Sequence, residues 1–313
     1  MKAIRLTEAG SATNLQLTET PIPSPKSGEV LIQVKAISIN PVDIKIRSGK
    51  SLYEKLKEHN PLILGWDISG VVTEVGSGVT DFTEGDAVFG MVNFPGYGQA
   101  YAEYVAAPAD HLTKKPENIS HEEAAAATLA ALTAWQVLTR HANIQSGQRV
   151  LIHAAAGGVG HFAVQMAKHL GAYVIGTSSS ANRDFVLSLG ADEHIDYKSQ
   201  TLKDAVSDID FVLDAIGDDN TDRSLEVMKP GATLICIPSG HCQNVKEKAE
   251  ARGMIGYHTI VESSAKDMKA IADLMQQGKL KAHVSQTFSL DQMPKAHQQI
   301  ETGHTVGKIV VKV

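Results

Sequence analysis

With 313 residues the chain is longer than one hydrophobic core usually supports, so two domains are expected. Its formal net charge of −6 comes from 29 Lys and Arg against 35 Asp and Glu with no basic stripe, which excludes nucleic acid as an electrostatic partner. Cys236 and Cys242 are too few for a disulfide framework or a cysteine-rich metal site and read as small buried thiols of a reducing cytoplasm.

Met1 to Glu8 interleaves charged and apolar residues, and no stretch approaches the roughly 18 apolar residues of a membrane span. The expectation is a soluble, cytoplasmic protein with no membrane partner. From Met1 to about His121, short strands alternate with Gly and Pro punctuation: Lys2 to Leu6, Glu29 to Ser38, Gly70 to Val75, Ala87 to Val92 and Ala102 to Ala107. This spacing predicts an irregular β domain. Glu54 to Glu58 reads as a helical turn in a surface loop. Ser120, followed three residues later by Glu123, has the form of a capping box and marks the expected entry to a second domain.

The second domain opens on Val150-Leu-Ile-His-Ala-Ala-Ala-Gly-Gly-Val-Gly160. Val150 to Ile152 is a short buried strand, and apolar residues recur at helical spacing after Gly160, so the glycines fall where a strand turns into a helix. That is the grammar of a dinucleotide site. Gly157 lets the backbone approach a pyrophosphate, Gly158 and Val159 continue the loop, and Gly160 lets the helix pack close to the strand. A helix N-terminus also presents free N–H groups and a partial positive charge to an anion. Further strands at Tyr173 to Thr177 and Asp210 to Asp214, with a helix around Arg183 to Leu189 between them, predict an open parallel sheet. Strands are also expected at Thr233 to Ile237 and Met254 to Val261. A helix over Met268 to Gln277 precedes a return to β structure at Val284 to Leu290 and Lys308 to Val313.

Four stretches together resemble the zinc-independent quinone oxidoreductases of the medium-chain dehydrogenase/reductase superfamily. They are Asn40-Pro-Val-Asp-Ile-Lys-Ile-Arg-Ser-Gly49, Leu64-Gly-Trp-Asp-Ile-Ser-Gly-Val-Val-Thr-Glu-Val-Gly76, Ala154-Ala-Ala-Gly-Gly-Val-Gly160 and Gly307-Lys-Ile-Val-Val311. The resemblance implies an α/β fold: a GroES-like β domain from residues 1–121 and 263–313, and a Rossmann doubly wound parallel sheet over 122–262. It also implies a homodimer paired through Gly253 to Val261. Zinc-dependent relatives place Cys where Asn40 stands and Gly-His-Glu where Gly65-Trp66-Asp67 stands, and they carry a cysteine lobe absent here. Asn40 and Trp66 cannot complete a set of three zinc ligands, so no metal is expected.

Without a Lewis acid, alcohol oxidation is disfavoured, whereas a quinone or α,β-unsaturated carbonyl is already polarised to accept hydride. The resemblance therefore implies an NADPH-dependent reductase of such small molecules. Its alternatives are an enoyl-thioester or aldehyde reductase of the same fold, or a non-catalytic NADPH-binding redox sensor. Asn40 is expected at the nicotinamide, Thr133 near its carboxamide, and Tyr53 as a donor to the substrate oxygen. A second reading makes Asn40 a turn former before Pro41, and Tyr53 a loop tyrosine. An NAD-preferring site ends its second strand on Asp or Glu, but this chain has Thr177 and Ser178 there. Arg183 and Tyr197 resemble the family's residues for the NADPH 2′-phosphate. Ile216, Gly217 and Lys308 complete the expected cofactor contacts.

Overall fold

The computed structural model describes residues 1–313 in full. It divides into two compact units, Met1–Leu132 with Glu262–Val313, and Thr133–Val261. The first unit begins with β1 (Lys2–Leu6) and β2 (Leu15–Glu19), an antiparallel pair. β3 (Glu29–Ser38) follows, and its nearly continuous burial identifies it as the central strand. Asn40 then caps α1 (Pro41–Arg47), with Pro41 at the first helical position, where its missing N–H costs nothing. After α2 (Tyr53–Leu56) come β4 (Asp67–Val75), β5 (Ala87–Met91), β6 (Tyr104–Pro108) and β7 (Leu112–Lys114).

α3 (His121–Ala126) has the expected capping box between Ser120 and Glu123. It does not open the second domain, however. Its small face lets Ala125 and Ala126 pack with Ala36 and Val310. His121 Nδ1 bonds Ser69 Oγ at 2.8 Å, and Glu122 pairs with Lys312 at 2.6 Å. These contacts hold α3 on the β unit, so the boundary falls within α4 (Leu129–Gln136), at Leu132/Thr133 rather than 121/122.

The second unit carries β8 (Arg149–Ile152), α5 (Gly160–His169), β9 (Tyr173–Ser178), α6 (Arg183–Ser188), β10 (Glu193–Asp196), α7 (Leu202–Ala205), β11 (Ile209–Asp214), α8 (Asp219–Leu225), β12 (Met228–Cys236), α9 (Val245–Glu250) and β13 (Ile255–His258). All neighbouring strands run parallel, in the order β10-β9-β8-β11-β12-β13. Strand order reverses between β8 and β11, and a crevice outside the carboxyl ends of such strands is where doubly wound sheets bind dinucleotides. β10 is short and polar, and the hydrophobic pattern of the sequence passed over it.

The chain returns to the first unit with α10 (Ala265–Gln276), β14 (Val284–Ser289), α11 (Met293–Glu301) and β15 (Lys308–Lys312). Its main sheet runs β14-β15-β3-β4-β5-β7, with β6 also paired to β3. No helix is long and apolar enough to cross a membrane.

Candidate functional site

In the Rossmann unit the chain turns sharply after β8. Ala154 adopts a left-handed φ of 50°, and Gly157 N bonds back to Ala154 O at 2.8 Å. Gly160 has a close-packing role: a Cβ there would lie 2.1 Å from Ala154 O, so any side chain would push α5 off the loop. A Cβ on Gly157 would come within 3.2 Å of the same oxygen. Gly157, Gly158 and Val159 remain partly exposed, as a loop offering its backbone to an anion requires. The residues present fit a dinucleotide.

The end of β9 holds no carboxylate, but its two hydroxyls point into the protein. Thr177 Oγ1 bonds His153 Nδ1 at 3.0 Å, and His153 Nε2 bonds Ser224 Oγ at 2.9 Å. Burial holds the His153 ring down to about 4, against the pull of Asp214 and with the Arg223 charge adding to the effect. Ser178 Oγ is 2.7 Å from His194 Nε2. Thr177 and Ser178 therefore shape the floor of this corner, while Ser180, Arg183 and Tyr197 form its exposed surface. Arg183 is 59 % exposed and pairs only with its neighbour Asp184 at 3.3 Å, leaving most of its guanidinium donors open to solvent.

At the end of β11, Asp214 is fully buried and organises the next turn. Its Oδ1 accepts from Ile216 N, Gly217 N and Asn220 Nδ2 at 2.9–3.0 Å, and its Oδ2 accepts from Thr221 Oγ1 at 2.9 Å. Ile216 is left exposed. Gly217, at φ 79°, is pressed against His241 O, which a Cβ would meet at 2.3 Å. The loop carrying His241 corrects the expectation of free thiols. Cys236 and Cys242 form a disulfide, because a turn closed by His241 N on Pro238 O brings their Cα atoms to 5.8 Å.

In the β unit, Asn40 is almost wholly buried, and both ends of its amide are committed. Nδ2 donates to Asp67 Oδ2 at 2.7 Å, while Oδ1 accepts from Lys308 Nζ at 2.5 Å. Lys308 also donates to Ile39 O at 3.0 Å, so this expected cofactor contact is spent inside the protein. Asp67 Oδ1 accepts from Leu129 N at 3.0 Å, and Asn40 N donates to Asp43 Oδ2 at 2.6 Å. Burial pushes the Asp43 carboxyl up to about 7, against the opposing pull of Asn40 N–H, Lys308 and the Tyr101 hydroxyl. Beside it, the Tyr101 hydroxyl bonds His297 Nε2 at 3.0 Å. The structure thus assembles a buried ionic cluster in which Asn40 bridges Asp67 and Lys308.

Tyr53 is half-buried at the start of α2, and Thr133 is buried in α4. No group of three or more His, Cys, Asp or Glu side chains is placed to hold a metal ion. Asp67, Asp214, His153 and His194 were missed as site residues. Asp67 and Asp214 had a local signal, an acid in the Gly-Trp-Asp stretch and an acid ending a buried strand, but the histidines had none.

A GroES-like β unit and a six-stranded Rossmann unit in one chain define a medium-chain dehydrogenase/reductase. The comparisons agree. Residues 26–117 match the alcohol dehydrogenase GroES-like domain, and residues 189–311 match the zinc-binding dehydrogenase domain. A 2-methylene-furan-3-one reductase of Solanum lycopersicum is 33% identical, covering 99% of this chain and 79% of its own length. The solved quinone oxidoreductase of Coxiella burnetii superposes with a TM-score of 0.95 at 37% identity, over 100% of this chain and 99% of that one. The Escherichia coli quinone oxidoreductase complexed with NADPH does so at 0.88 and 29%, with both chains fully covered. The chain belongs to the zinc-independent quinone oxidoreductases of that superfamily.

Proposed function

We propose that this protein reduces quinones and α,β-unsaturated carbonyls with NADPH. The observation that carries the reading is the corner after β9. There no acid ends the strand and Arg183 stands open with its donors in solvent, while the glycine loop after β8 fits a pyrophosphate. NADPH supplies the hydride when bound. The protein's own residues bind and orient: Gly157 to Gly160 receive the pyrophosphate, Arg183 and Tyr197 the 2′-phosphate, and the Asp214-braced turn at Ile216 and Gly217 the nicotinamide half. A conjugated acceptor is already polarised, so it needs geometry and a hydrogen bond to its developing oxyanion rather than a Lewis acid. The Tyr53 hydroxyl is the candidate for that hydrogen bond, and the Thr133 side chain is the candidate for orienting the nicotinamide carboxamide.

Purified protein should oxidise NADPH with simple quinones and short enones faster than with enoyl thioesters or aldehydes. No turnover of any of these acceptors would favour a binding protein instead.

Asn40 belongs to this reading as a support for the nicotinamide side of the site, held by Asp67 and Lys308. Asn40→Ala strips one hydrogen bond from each of two buried charged groups. Each loss costs on the order of 1 to 3 kcal/mol, so stability and turnover are expected to fall together. Urea unfolding beside steady-state kinetics checks this, and reduced turnover with unchanged stability would make Asn40 a direct cofactor contact instead.

The reading includes a homodimer. β13 pairs with β12 on one side only, its other edge is open, and Ile255 on the strand and Ile260 just beyond it stand exposed. An open edge strand is a ready surface for a second copy of the same strand. Light scattering should give twice the chain mass of 33.5 kDa. Ile260→Glu should halve the measured mass, and a monomeric wild type would refute the pairing.

A further inference from the structure

The corner after β9 contains a second basic group, the imidazole of His194. His194 sits on β10, the edge strand of the Rossmann sheet, where it pairs in register with Gly176 of β9. Its Nε2 is 2.7 Å from Ser178 Oγ, and Ser178 Oγ also bonds Ser179 O at 3.1 Å. The ring is therefore fixed against the end of the strand from which Arg183 follows. Only two charges act on it: Arg183 from the start of α6, and Asp196 two residues along its own strand. From β9 it faces uncharged Ser178, while the side chains of Asp184 and Lys198 are turned to solvent. Burial, reinforced by the Arg183 charge, holds the ring below the usual histidine value, with Asp196 pulling the other way.

From this arrangement we propose that His194 is a specificity-determining residue of the cofactor pocket that takes up a proton when a 2′-phosphate is bound. The proposal rests on the assignment of this corner to the 2′-phosphate. A phosphate monoester carries close to two negative charges near neutral pH. Brought beside Arg183 it offsets the charge that disfavours an imidazolium and adds an attraction of its own, so the ring gains a proton on binding. NADH brings no such charge. The bound form then holds more protons than the free form, and linkage requires phosphate affinity to rise as pH falls through the histidine range. The protein thereby discriminates most strongly between NADPH and NADH in mildly acidic solution.

The test uses 2′,5′-ADP, which carries the 2′-phosphate without the nicotinamide, titrated calorimetrically into the whole protein at pH 8.5 and 6.0. Adenosine 5′-monophosphate serves as the control lacking that phosphate. One unit of pKa shift is a tenfold change in affinity across the titration. Wild-type affinity for 2′,5′-ADP should accordingly gain about 5- to 10-fold more between pH 8.5 and 6.0 than that of His194→Gln, which keeps a polar group toward Ser178 but cannot take up the proton. The phosphate's own titration is common to both proteins and cancels in the comparison. The monophosphate should show one pH response in both. His194→Asn, checked for folding by circular dichroism, provides a second non-titrating variant. Equal pH responses of wild type and both variants toward 2′,5′-ADP, with Arg183→Ala still weakening it, would overturn the role of His194 alone. If Arg183→Ala leaves 2′,5′-ADP binding unchanged, the phosphate assignment fails and takes the proposal with it.

Discussion

Replacing Arg183 by alanine is expected to raise KM for NADPH roughly 10- to 100-fold while leaving KM for NADH nearly unchanged. A charge-assisted hydrogen bond to phosphate contributes on the order of 1.5 to 3 kcal/mol, which corresponds to that range. The geometry concentrates the effect in one residue. Thr177 and Ser178 direct their hydroxyls to His153 and His194, which leaves Arg183, at the start of α6, as an open cation in the corner that follows β9. Its ion pair with Asp184 is a solvent-exposed contact between adjacent residues, so little stability is lost with it. Steady-state kinetics with both cofactors at pH 7 decides the matter. Equal weakening of NADPH and NADH would mean that Arg183 acts on the fold of the corner rather than on a 2′-phosphate.

Lys308→Met should lower unfolding free energy by about 3 to 5 kcal/mol, the cost of removing one partner from a buried ionic cluster. Lys308 faces Asn40 and Ile39 O directly, and its charge acts on both Asp67 and Asp43. Burial, not any neighbouring charge, is the main force pushing both carboxyls upward, and Lys308 opposes it at each. The sign of the pH effect follows. A carboxyl whose folded value is raised contributes stability that is complete below its unfolded value, near 3.8, and is lost as pH rises through the folded one, about 7 for Asp43. Without Lys308, both groups must be neutral to stay buried. The deficit relative to wild type should therefore widen as pH rises from about 7 upward, where wild-type Asp43 gives up its proton and the variant cannot, by up to about 1.4 kcal/mol per pH unit for each proton involved. Urea unfolding across that interval measures it. A deficit independent of pH would show that packing around the lysine stem, rather than its charge, is what the cluster loses.

The cofactor loop and the class of fold were legible in the sequence because they depend on local geometry. Gly160 is required by a contact with Ala154, six residues away, and the strand-glycine-helix order is written in consecutive residues. The capping box at Ser120 and Glu123 was readable for the same reason. Burial and long-range pairing were not. Nothing near Asn40 announces that Lys308, far along the chain, supplies the strand register that brings its ammonium to the amide, or that the amide lies beneath the surface. The short polar strand β10 lacks a periodic signal, so His194 emerged beside Ser178 only once the sheet was assembled. Two cysteines six apart say little about oxidation; the turn over Pro238 to His241 brought their sulfurs together. The same limit explains the displaced domain boundary. A capping box fixes where a helix starts, but which body that helix joins is decided by the small face of Ala125 and Ala126 packing against Ala36 and Val310, and sequence alone carries no record of that contact.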